Sequence, residues 1–269
     1  MNPIQNPAIR FFYWSGARAL FTSAWYSLVT RLDKNAEVTL MNYGYAYPGD
    51  SRISLEIGNG SERYSLQLYH HVATGISLEG KHVLEVGCGR GGGASYIARY
   101  LRPQRMVGVD IVAPAIRFAQ KHFTAQKNLR FMVADAHQLP FEDNSFDAVV
   151  NIESAQHYKD VDRFLSEVRR VLKPGGHLLI SYFEDAGKGV FPRQALARSK
   201  LQKVREQDIS EGVVRAMDLD SSRRQRMALK LAPGMLKKLA IEFAGVRGTD
   251  LYNDFASGNY PYFYFIYQK

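Results

Sequence analysis

Short apolar runs alternate with amphipathic segments through the middle of the chain. The apolar runs lie at residues 82–87, 106–110, 129–135 and 146–154, and helical spacing of apolar residues returns at 94–101 and 113–123. Strands that are apolar along their length and are followed by helices are typical of a parallel sheet covered on both faces. We therefore predict an α/β fold with its binding site at the carboxyl ends of the strands.

The flanking sequence predicts further elements. Residues 161–172 have the spacing of an amphipathic helix, which we expect to stop at the proline–glycine breaker 173–176 before a fifth strand. The last ten residues are aromatic and β-prone, which predicts a final edge strand. We divide the chain into an N-terminal helical lid segment, 1–80, and a binding domain, 81–269, with a helical insertion at about 186–240.

The composition excludes several classes of protein. Of the 269 residues, 46% are hydrophobic and 23% are charged, which is ordinary for a globular protein and excludes a disordered chain. No stretch reaches the roughly 18 apolar residues of a membrane span, and the N-terminal sequence is a poor signal peptide. A single cysteine, Cys88, excludes an internal disulfide and favours a cytoplasmic location.

The net charge of +9 is concentrated in one stretch, because residues 186–238 hold thirteen basic and five acidic side chains. We interpret this stretch as a solvated helical face in preference to a surface for anionic lipid or nucleic acid. RNA recognition needs aromatic residues among the basic ones, and the stretch contains Phe191 but little else aromatic. Nucleic acid is therefore not an expected partner.

A glycine-rich turn after the first strand is the strongest chemical signal. Gly87, Gly89 and Gly92 have the spacing of a nucleotide-binding turn, in which a ligand approaches backbone N–H groups. Glu85 precedes this turn, and Asp110 ends the next strand, where a carboxylate can accept hydrogen bonds from ribose hydroxyls. Asp135 ends the third strand; it could contact an adenine amine or could only stabilise a turn.

The motif series resembles that of class I S-adenosylmethionine-dependent methyltransferases. Residues 83–96, Asp110, 134–141 and 172–176 carry this likeness, and residues 42–45, 68–70 and 245–249 extend it to the phthiotriol/phenolphthiotriol dimycocerosate methyltransferase-like group. The resemblance implies a Rossmann-like sheet of seven strands with one antiparallel strand. It also implies S-adenosyl-L-methionine as cofactor, S-adenosyl-L-homocysteine as product, and a small, hydrophobic natural-product or lipid-like acceptor methylated on oxygen or carbon.

The same resemblance assigns a role to individual residues. The cofactor site would consist of Glu85, Gly87, Cys88, Gly89, Asp110, Ile111, Asp135, Ala136 and Asn151. Glu153 and His157 follow the fourth strand and resemble a Glu-x-x-x-His element, in which the imidazole could accept a hydroxyl proton. His157 could equally be a packing residue at the rim of the site, and Glu153 could cap a helix.

Aromatic residues are concentrated before the first predicted strand. Tyr13, Trp14 and Tyr26 belong to an amphipathic segment, 9–32, that we expect to contact the acceptor as a lid. Core packing and peripheral contact with a membrane surface are the alternatives for this segment, and a homo-oligomer also stays open. The histidines lack the spacing of metal ligands, so no metal is expected.

Two other functional classes share the glycine turn. An NAD-dependent oxidoreductase would use the turn and the acid after the second strand, but Asp135 and the 172–176 motif argue against it. A non-catalytic or RNA-binding protein with this fold is the other alternative.

Overall fold

A computed structural model describes residues 30–33, 36–50, 62–184 and 191–269. The helices of eight or more residues are α1 (Arg63–Ala73), α2 (Gly92–Tyr100), α3 (Ala113–His122), α4 (Val161–Val171), α5 (Phe191–Arg198) and α6 (Ser210–Leu231). Two shorter helices follow, α7 (Lys237–Phe243) and α8 (Asp250–Ala256). The strands are β1 (His82–Val86), β2 (Arg105–Asp110), β3 (Leu129–Val133), β4 (Phe146–Ile152), β5 (Leu172–Phe183), β6 (Gln202–Asp208) and β7 (Tyr262–Gln268). Single 3-10 turns occupy Pro48–Asp50, Ala155–His157 and Gly234–Leu236.

The seven strands form one sheet in the order β3-β2-β1-β4-β5-β7-β6. The first five pair in parallel, with Val83 opposite Met106 of β2 and Ala148 of β4. Strand β7 runs antiparallel to both of its neighbours. This arrangement confirms the α/β fold and the seven-stranded sheet with one antiparallel strand.

Alternate residues along the central strands enter two different cores, as expected for a sheet covered on both faces. One core contains Val83, Val150 and Ile266 together with apolar residues of α1, α2, α6 and α8. The other contains Leu84 and Val149 with apolar residues of α4 and α5. Both faces of the central strands are therefore buried, which explains why their sequences are apolar throughout.

One sequence-based prediction about the end of the chain is wrong, and a second is incomplete. The closing segment is strand β7, but it lies between β5 and β6 and is not at the edge. The edge strand at this end of the sheet is β6, which lies between helices α5 and α6 inside the region predicted as a helical insertion, 186–240. Every residue of β6 is exposed, so its sequence has no apolar alternation that could reveal a strand; it is held by backbone pairing to β7.

The proline–glycine segment 173–176 is also not a break between elements. Helix α4 ends at Val171, and β5 already begins at Leu172, which pairs with Phe146 before the register shifts. Gly175 takes a positive φ of 77° within this irregular stretch. Residues 173–176 therefore make the start of β5 irregular and do not separate α4 from β5.

The segment 36–47 crosses the glycine turn and closes one side of the site. Glu62 accepts hydrogen bonds from the backbone N–H groups of Thr39 (2.8 Å) and Leu40 (2.9 Å). Asp33 accepts from the N–H groups of Glu37 and Val38 at 3.0 and 2.9 Å. Among the described helices, none is long and apolar enough to cross a bilayer.

Candidate active site

A cavity of about 350 Å³ lies beyond the carboxyl ends of β1, β2 and β4. The last residues of these strands, Val86, Asp110 and Ile152, all line it. We call it the first cavity. Its volume falls in the range of about 300–1,000 Å³ that is typical of small-ligand sites.

The glycine turn forms the floor of the first cavity. Gly87 has a φ of 79°, and a side-chain carbon at this position would lie 1.9 Å from the hydroxyl oxygen of Ser154. Gly89 has a φ of 53° and no heavy atom within 4 Å of the place where its Cβ would stand. The backbone at Gly89 is therefore open to a ligand, and positive φ values favour glycine at both positions.

The carboxylate of Asp110 fixes the shape of this turn. Its Oδ2 accepts a hydrogen bond from the Gly89 N–H (2.8 Å), and its Oδ1 accepts from the Val112 N–H (2.9 Å). Burial raises the pKa of Asp110, although these backbone hydrogen bonds oppose the shift. Each carboxylate oxygen has a further lone pair available to a ribose hydroxyl. The next residue, Ile111, is 63% exposed and presents an apolar side chain to the cavity.

Asp135 and Ala136 line the opposite end of the first cavity together with His137. Asp135 accepts a hydrogen bond from the His137 N–H at 2.9 Å, and its Oδ1 lies 2.6 Å from Nδ1 of the same histidine. The backbone hydrogen bond is the largest cause of the lowered pKa of Asp135. The side chain is 49% exposed, so an ionised carboxylate faces the rim of the cavity.

Two of the predicted cofactor residues, Glu85 and Asn151, do not line the first cavity. Asn151 is fully buried; its Nδ2 donates to the Val86 carbonyl (2.8 Å), and its Oδ1 accepts from the Ala155 N–H (3.1 Å). Glu85 is buried behind the turn and accepts a hydrogen bond from the Tyr69 hydroxyl at 2.7 Å. Both side chains are therefore used for hydrogen bonds inside the protein, next to the glycine turn and the strand ends.

We predict that Glu85 makes stability depend on pH. Burial raises its pKa from 4.5 to about 7, so between these pH values the folded protein binds a proton that the unfolded chain has released. Stability therefore falls as the pH rises through this range and is level above it. Glu85→Gln should raise the free energy of unfolding near pH 8 by on the order of 2–3 kcal/mol and change it little near pH 4.5. Urea unfolding at both pH values measures this, and an equal change at both would contradict it.

A second cavity, of about 130 Å³, adjoins the first. Its walls are mostly apolar and come from segment 38–43, Phe183 and helices α6 and α7, with Met227, Leu231 and Phe243 among the lining residues. Two guanidinium groups, of Arg223 and Arg224, also lie in its wall. The second cavity thus has the character of a site for a hydrophobic molecule.

Glu153 and His157 line both cavities, as do Leu40, Met41 and Asn42. His157 ends the 3-10 turn Ala155–His157 that follows β4. Glu153 has a φ of 50°, which is unusual for a residue with a side chain. This backbone conformation places both residues of the predicted catalytic element at the junction of the cavities.

The carboxyl group of Glu153 is embedded in the protein. Its Oε1 accepts hydrogen bonds from the Tyr43 N–H (2.8 Å) and the Tyr262 hydroxyl (3.0 Å). Burial raises its pKa to about 7, although these hydrogen bonds and the charge of Arg224 oppose the shift. Glu153 therefore joins segment 41–43 to the end of the sheet at the place where the cavities meet.

Several residues of the site were missed in the sequence analysis. Arg90 lines the first cavity and forms a buried ion pair with Asp33, Nη2 to Oδ2 at 3.1 Å. Its guanidinium also stacks 3.8 Å from the ring centre of Phe118. The Tyr158 hydroxyl accepts from Ser154 Oγ (2.8 Å) and Asn151 Nδ2 (3.0 Å). The contact between Arg90 and Asp33 spans 57 residues, so short-range periodicity carries no signal for it. The contacts of Tyr158 are local, but they depend on the 3-10 turn that follows β4.

The predicted acceptor residues Tyr13, Trp14 and Tyr26 lie outside the described residues, so the lid hypothesis stays a prediction. The other predicted cofactor residues, Gly87, Cys88, Gly89, Asp110, Ile111, Asp135 and Ala136, are together around the first cavity.

The first cavity fits the cofactor that the motifs imply. An open backbone at Gly89 and carboxylates at two strand ends suit an adenosine with hydroxyl and amine donors. The carboxylates of Asp110 and Asp135 also offer negatively charged groups to the donors of the ligand, although Arg90 and Lys159 line the same cavity.

Comparison with known proteins identifies the family. A model of the methyltransferase domain family matches residues 84–180. The chain is 35% identical over 245 residues to the phthiotriol/phenolphthiotriol dimycocerosates methyltransferase of Mycobacterium leprae (strain TN), covering 91% of this chain and 90% of that protein. It is 40% identical over 214 residues to the fatty-acid O-methyltransferase of Mycolicibacterium smegmatis (strain ATCC 700084 / mc(2)155), covering 79% and 77%.

A solved structure shares the fold. The crystal structure of the cyclase SpnF superposes with a TM-score of 0.70 at 22% sequence identity, covering 92% of this chain and 94% of that one. Because a cyclase also has this architecture, the fold alone does not fix the reaction; the more closely related sequences do. The chain belongs to the S-adenosylmethionine-dependent methyltransferase family that includes the phthiotriol/phenolphthiotriol dimycocerosates methyltransferases, and its cofactor is S-adenosylmethionine.

Proposed function

We propose that this enzyme methylates an oxygen atom of a hydrophobic, lipid-like acceptor bound in the second cavity. The observation that carries the proposal is that two cavities of different character share Glu153 and His157. The first is lined by carboxylates and the glycine turn, and the second is mostly apolar. A methyl donor and an acceptor held in adjoining cavities would meet at these shared residues, so positioning supplies much of the catalysis.

The cofactor would occupy the first cavity along the strand ends. Gly87, Cys88 and Gly89 would offer the backbone of the turn, Asp110 would accept from the ribose, and Asp135 with Ala136 would contact the adenine; all six residues line this cavity. When bound, the cofactor supplies a sulfonium methyl group, and its transfer forms the new O–C bond and leaves a neutral thioether.

His157 would act as the general base. An imidazole nitrogen can take the proton of an acceptor hydroxyl as the O–C bond forms. Glu153 would fix the position of segment 41–43 between the two cavities, since its Oε1 accepts hydrogen bonds from the Tyr43 N–H and the Tyr262 hydroxyl.

The related sequences favour oxygen as the methylated atom. One relative is a fatty-acid O-methyltransferase, and the other is a phthiotriol/phenolphthiotriol dimycocerosates methyltransferase, both named for lipid acceptors. Carbon methylation would need the aromatic rings of the second cavity, Tyr43, Phe183 and Phe243, to stabilise a carbocation.

A transfer assay tests the proposal. The enzyme is incubated with S-adenosylmethionine carrying a carbon-13 methyl group and with long-chain alcohols, alkylphenols and fatty acids, and the chemical shift of the product methyl is measured. We expect a methyl group bound to oxygen. A methyl group on carbon would contradict the proposal, as would calorimetry that shows binding of NAD but not of S-adenosylmethionine.

A further inference from the structure

The second cavity contains an unsatisfied amide. Gln156 lines this cavity, and both polar atoms of its side chain, Oε1 and Nε2, are buried without a hydrogen-bond partner among the described residues. A buried polar group without a partner destabilises the folded protein. Such groups are rare in folded proteins, and each calls for an explanation such as a ligand that satisfies it.

The neighbouring polar side chains of the second cavity already have partners. Asn42 donates from Nδ2 to the Ser65 carbonyl (3.3 Å) and accepts from the Gly44 N–H (2.9 Å). Glu153 accepts from Tyr43 and Tyr262. Gln156 is thus an open donor and an open acceptor, next in sequence to His157.

The positive charges in this wall already lie next to acidic side chains of the protein. Arg223 donates from Nε and Nη2 to the two carboxylate oxygens of Asp220, at 2.7 and 2.5 Å. Arg224 lies with Nε 3.3 Å from Asp220 Oδ2 and donates to the carbonyl oxygens of Ala244 (3.0 Å) and Tyr43 (2.8 Å). Both guanidinium groups therefore share the one carboxylate of Asp220, and the carboxyl group of Glu153 also interacts with the charge of Arg224. An anionic acceptor would have to compete with these carboxyl groups.

We infer that Gln156 determines acceptor specificity by binding a neutral hydroxyl group, and that the enzyme prefers an alcohol or phenol to a carboxylate. A hydroxyl can accept a hydrogen bond from Nε2 and can donate to Oε1 or to His157. An ionised carboxylate can accept from Nε2 but has no proton to donate either to Oε1 or to His157, and it would lie near the carboxyl group of Glu153. This inference rests on the proposed function and narrows its acceptor class.

The substitution Gln156→Leu tests this role, because it removes both polar atoms at nearly constant size. We expect kcat/KM for 4-octylphenol to fall about 10- to 100-fold, since a site built to hydrogen-bond a hydroxyl loses that selectivity. The affinity for S-adenosylmethionine, measured by calorimetry, should not change. The parent enzyme should also methylate 4-octylphenol faster than 4-octylbenzoic acid. Gln104→Leu, at an exposed position on the loop before β2, is the matched control and should leave all three values unchanged.

Thermal unfolding in the absence of acceptor gives a second readout that does not depend on turnover. If the amide of Gln156 serves to bind the acceptor, Gln156→Leu should raise the Tm of the acceptor-free enzyme, because the substitution removes an unsatisfied amide from an apolar wall. A lower Tm would show a structural role and would overturn the inference.

The outcomes separate this inference from the proposed function. Preference for 4-octylbenzoic acid, or an unchanged kcat/KM for the phenol in Gln156→Leu, overturns the inference and leaves oxygen methylation intact. A product methylated on carbon, or no binding of S-adenosylmethionine, overturns the proposed function itself.

Discussion

Replacing His157 by alanine should lower kcat for a hydroxyl acceptor by about 10²–10⁴-fold, which is the usual contribution of a general base. His157 lies at the junction of the two cavities, where the hydroxyl proton must be accepted as the new bond forms. The glycine turn and Asp110 are unaltered by the substitution, so the Kd of S-adenosylmethionine should change little. Single-turnover rates with labelled cofactor, together with calorimetry, measure the two effects separately.

Two further variants distinguish a base from a hydrogen-bonding residue. His157→Gln keeps a polar side chain but cannot accept the proton, so it should be nearly as slow as His157→Ala. His177→Ala is the control, because His177 pairs with Ala148 near the start of β4, away from the strand ends that form the site. With a phenol acceptor, the deficit of His157→Ala should shrink as the pH approaches about 10, where a phenol ionises without help. Full turnover by His157→Ala from about pH 6 to 9 would exclude the base.

The part of the site that the sequence predicts is the part built from short-range patterns. The glycine turn, Asp110 and Asp135 follow directly on buried strands, and the carboxyl ends of parallel strands necessarily meet at one edge of the sheet. Seven of the nine predicted cofactor residues lie around the first cavity for this reason. The exceptions, Glu85 and Asn151, stand at the correct strand ends, but their side chains are used for internal hydrogen bonds.

The second cavity could not be predicted in the same way. Its walls combine segment 38–43 with helices α6 and α7, which lie nearly 200 residues further along the chain. Only tertiary packing brings these elements together, and their apolar residues have the spacing of any amphipathic helix. Strand β6 was missed for a related reason, since all its residues are exposed and its pairing with β7 leaves no apolar alternation in its sequence.

The buried ion pair between Asp33 and Arg90 should be the most sensitive point of the fold outside the hydrophobic cores. The two side chains are 2% and 0% exposed, and Nη2 lies 3.1 Å from Oδ2. Asp33→Ala removes the carboxylate and leaves a guanidinium in a site that excludes water. Breaking one side of a buried pair costs about 3–5 kcal/mol, so we expect a loss of that size in the free energy of unfolding, measured with urea.

The exposed pair between Glu79 and Arg102 provides a matched control. Its atoms are 3.3 Å apart, but the side chains are 62% and 72% exposed, so Glu79→Ala should cost less than about 1 kcal/mol. The double variant Asp33→Ala/Arg90→Met should recover part of the loss, because it removes the uncompensated charge as well. Asp33 also accepts hydrogen bonds from the N–H groups of Glu37 and Val38. These two residues come shortly before 40–42, which line both cavities. We therefore expect Asp33→Ala to raise the KM for the acceptor, and the double variant to regain stability without regaining the original KM. Equal losses of stability in Asp33→Ala and Glu79→Ala would show that the buried pair anchors neither the fold nor the site.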